Sequence, residues 1–457
     1  MNRNIQRSPL SVSARRLCSF CGPCSFLGLG LFLSLLSAGL AGRAWAGPKF
    51  TFDEGRKSVE LMQAYQIWGV ATYDPRNVPV PDVRADLYFR RARLGLKGQA
   101  YPDLDYLVWF AYDNVGKDPN TGTLGAPQVV PNTTFQVWDA YMTWHLDSAW
   151  ANLSFGLLRP QAGGEFTTSY GAVPSLEKAL THYYVRDHLL TRPSGRETGL
   201  NLGGYLADSV KGMAFGYNFG IFDANQEKTT AAAVGSLKWS PLLAGKITGT
   251  WGDPENKDYK LSTDLNSFGK RKGITLAAYG TWQGESDEKL DTAQANPYIG
   301  GFKQNSILGG SLLANWRYLE LDAECDFLYR KFTSGFPAAY AATKKNAPYV
   351  QGPDFRDQVW HVRGGYSFPI LAAQFLEPTV MFSRFEGDES SPINTSGEDQ
   401  VLDAGLNWYV QKNNLKVSFH YVKQDGEAKS MFTQGANKKG ELKQRNDYLA
   451  LGVIIGL

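Results

Sequence analysis

The sequence predicts an all-β protein, a transmembrane antiparallel β-barrel of sixteen strands, and three observations predict it. Phe89 to Asn114, FRRARLGLKGQAYPDLDYLVWFAYDN, holds two runs of alternating polar and apolar residues joined by a tight turn at Ala100 to Asp103. Strand side chains point alternately to opposite faces, so Leu94 and Leu96 share one face while Arg91, Arg93 and Lys97 share the other. Similar runs fill the rest of the chain, and their connections alternate short and long, as periplasmic turns and outer loops do in outer-membrane barrels. A closed barrel turns the apolar face to lipid and the charged face into a water-filled lumen.

Residues 1–46 carry Arg3, Arg7, Arg15 and Arg16, then the apolar run Phe26 to Leu40. Ala44, Trp45 and Ala46 follow as a small-x-small cleavage site before Gly47, completing the pattern of a secretory signal peptide. The run is too short for a spanning helix of ~20 residues, and no other apolar stretch matches it. Residues 47–457 are therefore expected to form a single barrel without a transmembrane helix. The signal holds 5 of the 47 basic residues and none of the 44 acidic ones, so the remaining chain has a net charge of −2. The formal +3 of the whole chain is thus no argument for nucleic acid as a partner. Cys18, Cys21 and Cys24 also fall in the signal, leaving Cys325 and no disulfide within one mature chain.

Alternation places strands at 58–73, 86–99, 104–114, 134–146, 150–160, 196–207, 210–222 and 229–240. It places eight more at 272–284, 305–316, 318–332, 356–368, 374–386, 399–411, 414–425 and 444–457. Pro241 to Lys272 reads as a long periplasmic connection, although Lys246 to Trp251 within it is strand-like. Pairing of that piece with a further strand makes eighteen the second possible count. In the closing strand Leu449, Leu451, Val453, Ile455 and Leu457 face lipid, and Ala450, Gly452, Ile454 and Gly456 face inward. Trp138, Trp144, Trp360, Trp408 and Tyr409 lie near strand ends, where aromatic girdles sit. A soluble β-sandwich also alternates, but it favours strands of about five or six residues, shorter than these.

Six segments carry a resemblance. FRRARLGLKG (Phe89 to Gly98), GLLRP (Gly156 to Pro160) with Glu165 downstream, GRETGLNLGG (Gly195 to Gly204), YNFGIFDA (Tyr217 to Ala224), LEPTVMFSRFEGD (Leu376 to Asp388) and AGLNWYVQKNNLKVSFHYV (Ala404 to Val422) resemble the phosphate-selective porin O and P family. The resemblance implies a sixteen-stranded outer-membrane barrel of a Gram-negative-type bacterium, trimeric, with a third outer loop folded inward to narrow the pore. It implies passive diffusion of small hydrophilic solutes and ions, with an anion or phosphate preference as the finer expectation. Arg91 and Arg93 match the family's RRAR element, and Arg159 stands where the family has a Lys. Met381 and Phe382 stand where the family often has Arg and Tyr, and the chain ends in Leu457 and not in the terminal aromatic that barrel-assembly machinery commonly reads.

The candidate inward loop, 161–195, contains a helical-looking piece from Pro174 to Tyr184. Its permanent charges balance: Lys178, Arg186 and Arg192 against Glu165, Glu177 and Asp187. The wall residues Arg91, Arg93, Lys97, Arg159 and Arg196 tip the pore positive if they reach the same level. Charges near the narrowest point decide ion choice, because salt screens beyond ~8 Å. Arg90 shares the parity of Leu94 and Leu96 and reads as outward. Lipid and lipopolysaccharide are the expected surroundings, with acidic outer segments at Glu285 to Asp291 and Glu386 to Glu389. The competing reading is a structural or adhesive barrel whose lumen the long loop occludes.

Enzyme chemistry finds no support. Cys21-Gly-Pro-Cys24 copies a redox motif but lies in the signal, without the fold context that lowers a thiol pKa. His145, His182, His188, His361 and His420 are scattered, with no paired metal-ligand spacing, although His182 and His188 are in the loop and open to protonation in acid. No nucleophile elbow or phosphate loop occurs, so neither a catalytic residue, a metal site nor a cofactor is expected.

Overall fold

Hydrocarbon offers a backbone amide no hydrogen-bond partner, so every strand that crosses it must be paired on both edges. The computed structural model describes residues 47–73, 83–118, 121–124, 135–190, 194–224, 239–285, 302–332, 355–371, 373–388, 398–426, 433–436, 442–444 and 446–456. The first half of the ring is β1 (Lys57–Tyr73), β2 (Val83–Tyr101), β3 (Leu104–Ala111), β4 (Gln136–Asp147), β5 (Ala151–Leu158), β6 (Glu197–Asp208), β7 (Met213–Phe222) and β8 (Leu242–Gly252). The second half is β9 (Lys272–Gln283), β10 (Phe302–Trp316), β11 (Leu319–Phe332), β12 (Phe355–Tyr366), β13 (Gln374–Glu386), β14 (Glu398–Tyr409), β15 (Leu415–Gly426) and β16 (Tyr448–Gly456). Each strand pairs antiparallel with the next, and β16 pairs with β1 from Ala64↔Gly456 to Thr72↔Tyr448, closing sixteen strands into a barrel.

Near its start β1 runs past the end of β16, and the short strand Lys49–Phe52 pairs there, from Lys49↔Glu60 to Phe52↔Lys57. Because Ser58 to Glu60 already pair with β2 on the other side, Lys49–Phe52 continues the edge that β16 occupies further along. The strand Phe368–Leu371 pairs with the beginning of β13, and Thr433–Ala436 forms a separate hairpin with Leu442–Gln444.

All but one of the strands lie where alternation places them. The exception is β8, which occupies Leu242–Gly252 and not 229–240; residues 229–238 lie outside the described ones. The strand-like Lys246 to Trp251 therefore belongs to the ring, paired with both β7 and β9, and the count stays at sixteen. The cause is local. The lipid-facing positions of β8 include Gly245 and Gly249, which erase the apolar half of the pattern, while Lys246 and Thr250 are buried inward.

On β2, Leu94 and Leu96 are 38% and 39% exposed toward lipid, and Arg91 and Arg93 are buried. Arg90 corrects the parity argument. Gln66 pairs with Arg91 but Ile67 pairs with Phe89, so Arg90 is the extra residue of a β-bulge and turns inward beside Arg91. Trp138 is the extra residue of a second bulge, between Val137 and Asp139, and packs on lumen arginines instead of joining a girdle. Tyr409 is likewise buried inside. The turn-side girdle consists of exposed residues such as Tyr101, Trp144, Trp150, Trp251 and Trp316; Phe135, Trp239 and Trp282 lie toward the outer ends.

Two of the connections that enter the lumen meet one another. Residues 159–190 leave β5 and cross the barrel, and 194–196 lead into β6. The helix α1 (Leu180–Leu189) lies against β10, β11, β12 and β13. The helix starts after the expected Pro174, because residues before it bond the wall: Leu176 N donates to Asp403 Oδ2 at 2.8 Å and Asn407 Nδ2 donates to Pro174 O at 2.6 Å.

The second is the turn-side connection 253–271, which forms a crossbar. Its Tyr259 hydroxyl donates to Asn218 Oδ1 at 2.7 Å, Asn266 Nδ2 donates to Glu377 Oε1 at 2.8 Å, and Phe268 stacks among Phe375 and Tyr409. Loop and crossbar meet at Thr168 and Thr263, where Ser169 N donates to Thr263 O at 3.2 Å.

Gly203 lies under Tyr259, and an added Cβ there meets the Tyr259 ring at 2.4 Å. Gly203→Ala should displace the crossbar and leave the barrel closed. The expected result is faster tryptic cleavage after Lys257 or Lys260 with normal heat-modifiability on gels; unchanged cleavage would show that Tyr259 does not seat the crossbar.

Candidate pore constriction

Lumen charges are sorted onto two sides. The inner face of β2 and the two ends of the inward loop bring together Arg90, Arg91, Arg93, Arg159 and Arg196. Across the barrel β11 places Glu320, Asp322, Glu324 and Asp326 inward at every second residue, joined by Glu377 of β13 and Asp399 and Asp403 of β14. Sequence reasoning missed this acidic ladder. Its signal was nevertheless present, since ELDAECD repeats a carboxylate with the strand period of two.

Most of the expected anion-binding cations already hold carboxylates. Arg91 Nη2 donates to Glu177 Oε1 at 2.8 Å, and Arg90 Nε to Glu177 Oε2 at 2.7 Å. Arg93 pairs with Asp113 at 2.7 Å and stacks on Trp138 and Tyr170. Arg196 forms a fork with Asp139, at 2.8 and 3.1 Å, and also faces Trp138. Lys97 reaches Glu60 near the turn end, away from the loop, and Arg186 pairs with its neighbour Asp187. Arg192 lies outside the described residues.

Arg159 and Lys178 differ. Arg159 Nη1 donates to Phe166 O at 2.5 Å and Thr168 O at 3.3 Å, and Lys178 Nζ donates to Glu165 O at 2.8 Å and Thr168 O at 2.5 Å. Among the described residues neither has a carboxylate within ion-pair distance. Burial, and then the nearby Arg159 cation, lowers the Lys178 ammonium well below its ordinary value. The two basic groups thus meet at the root of the loop on main-chain carbonyls, with no described carboxylate within ion-pair distance.

The loop is fastened by Arg363 of β12. Its five N–H groups are all used: Nε and Nη2 bond Asp322 at 2.9 and 2.8 Å, Nη1 and Nη2 bond Glu165 at 3.1 and 2.8 Å, and Nη1 bonds Ser175 Oγ at 2.9 Å. Met381, where the family has a cation, packs its sulfur 3.8 Å from this guanidinium. His361 bridges Asp322 to Thr181 of α1 at 2.8 and 2.9 Å. Glu165, Asp322 and His361 come close enough to hold a metal ion, but Arg363 already bridges the two carboxylates.

Around this clamp Lys246 Nζ donates to Gly163 O at 3.1 Å, Lys416 Nζ to Val173 O at 2.7 Å, and Glu324 accepts from Glu165 N at 2.5 Å. Burial outweighs the expected acid response of the loop histidines. Burial, then the Lys178 and Arg186 cations, pushes His182 well below the histidine range, and burial with Arg330 does the same to His188.

The sequence model of the phosphate-selective porin O and P family matches residues 67–448. No curated protein matches the chain. Among solved structures the barrel is similar to an anion-selective porin from Comamonas acidovorans, with a TM-score of 0.52 at 10% identity, covering 88% of this chain and 100% of that one. The outer membrane channel DcaP of Acinetobacter baumannii gives 0.52 at 12% identity over 90% and 100%. OmpT of Vibrio cholerae in its trimer form gives 0.50 at 11% over 88% and 99%. At these identities the likeness concerns the fold, while the family match spans most of the strands and the inward loop. The chain belongs to the phosphate-selective porin O and P family and is a channel-forming barrel of the outer membrane.

Proposed function

We propose that small anions cross this barrel along the arginine side of the lumen, at the constriction that the inward loop makes. The observation that carries the reading is the pair Arg159 and Lys178, bound to main-chain carbonyls and to no described carboxylate, beside Arg93 and Arg196. A passing anion supplies the counter-charge they lack. The acidic ladder opposite sets a transverse field, so dipolar solutes enter with their negative ends toward β2 to β6. The meeting of loop and crossbar at Thr168 and Thr263 favours the occluded reading to the extent that it narrows the path, and conduction decides between the two.

We further infer that residues 1–46, which lie outside the described residues, are removed on export and that the barrel assembles as a trimer. The charged and apolar pattern of the segment and the trimer form of the similar OmpT support these readings. Outer-membrane lipid and lipopolysaccharide would contact the apolar belt and the rims.

Folded protein in planar bilayers should show stepwise conductance, and its absence would favour the occluded barrel. In a salt gradient the reversal potential should report anion preference, and Arg159→Ala should lower the anion-to-cation permeability ratio by roughly twofold or more. An unchanged ratio removes Arg159 from the filter. Added phosphate that blocks chloride current marks a phosphate site, and lack of block marks a general anion path.

Arg363→Met leaves Glu165 and Asp322 buried face to face, at a cost of about 3–5 kcal/mol. The loop should then leave the wall, giving larger and noisier conductance steps, with Arg363→Lys intermediate because an ammonium cannot form both forks. Steps as quiet as those of the unaltered protein would show that other contacts suffice. Native mass spectrometry of the exported protein should find chains beginning at Gly47 in assemblies of three; a retained leader or a lone chain contradicts the corresponding reading.

A further inference from the structure

The acidic ladder contains a pair of buried carboxylates, each with one oxygen that no described donor reaches. Glu324 and Asp326 of β11 are 4% and 0% exposed. Each carboxylate uses one oxygen: Glu324 Oε2 accepts from Glu165 N at 2.5 Å, and Asp326 Oδ1 accepts from the Tyr279 hydroxyl at 2.6 Å. The other two, Glu324 Oε1 and Asp326 Oδ2, are buried and have no donor among the described residues.

Space is kept open around them by missing side chains. A Cβ on Gly309 would lie 2.1 Å from Asp326 Oδ1, and Cβ atoms on Gly163 and Gly164 would lie 3.0 and 2.9 Å from the Glu324 oxygens. A cavity of about 50 Å³ adjoins Glu324 on the side away from Asp326, which is not part of its lining; Thr248, Ser311, Glu255 and Lys246 line it too. A single water needs ~10–15 Å³ by the same measure, so there is room for an ion and part of its hydration shell.

Lys246 and several carboxylates face this place. Lys246 of β8 turns its ammonium to Gly163 O and Thr167 Oγ1, at 3.1 and 3.2 Å. Glu165 and Asp322 are taken by Arg363, and the crossbar contributes Glu255, another anion. Two buried like charges with free oxygens, hydroxyl neighbours and a small polar cavity are the donor set of a hard cation.

We propose that Glu324 Oε1 and Asp326 Oδ2 bind one Ca²⁺ ion at the junction of the inward loop and the β11 wall. Binding joins the wall to Gly163 and Glu165 of the loop and removes two negative charges from the side facing the arginines. Calcium should therefore both fasten the constriction and move selectivity toward anions. With two carboxylates and water completing the shell, the affinity belongs with weak extracellular sites, at Kd of about 0.1–1 mM.

Equilibrium dialysis of the detergent-solubilised, heat-modifiable protein against radioactive Ca²⁺ tests the site without any conductance. The expected result is saturable binding near one ion per barrel, weakened at least tenfold by Asp326→Asn and by Glu324→Gln and retained in Glu60→Gln, a carboxylate near the turn end. No saturable binding up to about 10 mM, tenfold above the weak range, would overturn the proposal, as would binding that survives both ladder variants. In bilayers, Ca²⁺ should shift the reversal potential toward anions in the unaltered protein and not in the two variants. An equal shift in all three would assign the effect to other carboxylates.

Discussion

Closure is the constraint on which the rest of this molecule depends. A strand edge left open in hydrocarbon would strand a row of amides, so β16 must meet β1 and the pairing must continue without a gap. β16 ends opposite Ala64, yet β1 begins seven residues earlier, at Lys57; Lys49–Phe52 covers four of those residues, Lys57 to Glu60. Once the ring is closed, each strand has one face in lipid and one in a confined polar space. Every charge in the sequence then has to be placed inside or beyond the ends.

That confinement explains why so many lumen charges are paired. A charge behind an inward loop has less water around it than one on a free surface, and it stabilises the structure only when a partner replaces that water. Arg363 shows the limiting case, with two carboxylates and a serine satisfying every N–H it has. The same logic fixes the loop. Its carbonyls receive Lys178, Lys246, Lys416 and Arg159, and its amides at Glu165, Leu176 and Ala179 donate to carboxylates. The loop behaves as part of the wall because its backbone is bonded as a strand's would be, but by side chains.

The sequence showed the strands well and the site only in part, for reasons that differ by element. Alternation is a one-strand signal, so β2, β6 and β16 could be read directly. β8 could not, because Gly245 and Gly249 occupy lipid-facing positions. Bulges are invisible to a parity argument, and those at Arg90 and Trp138 turn a side chain from the lipid face into the lumen. Pairings such as Arg91 with Glu177 or Arg363 with Glu165 join residues far apart in the chain, which composition and spacing cannot reveal. The acidic ladder was legible in ELDAECD, where a carboxylate recurs with the strand period of two.

A charge that anchors the constriction is a poor selectivity element, since its field is largely cancelled at short range by its own partner. Arg91, Arg93 and Arg196 meet carboxylates within 2.8 Å, so each presents to a passing ion a dipole more than a net charge. Arg159 and Lys178 anchor through carbonyl oxygens, which orient a cation without neutralising it. On the opposite wall the same distinction separates Asp322, held by Arg363, from Glu324 and Asp326, each with an oxygen that nothing described answers. In the proposed reading the polarity of this lumen rests on a few incompletely compensated groups and not on its many charges. A basic residue count along the chain would have ranked Arg91 and Arg93 first; the partners place Arg159 and Lys178 ahead of them.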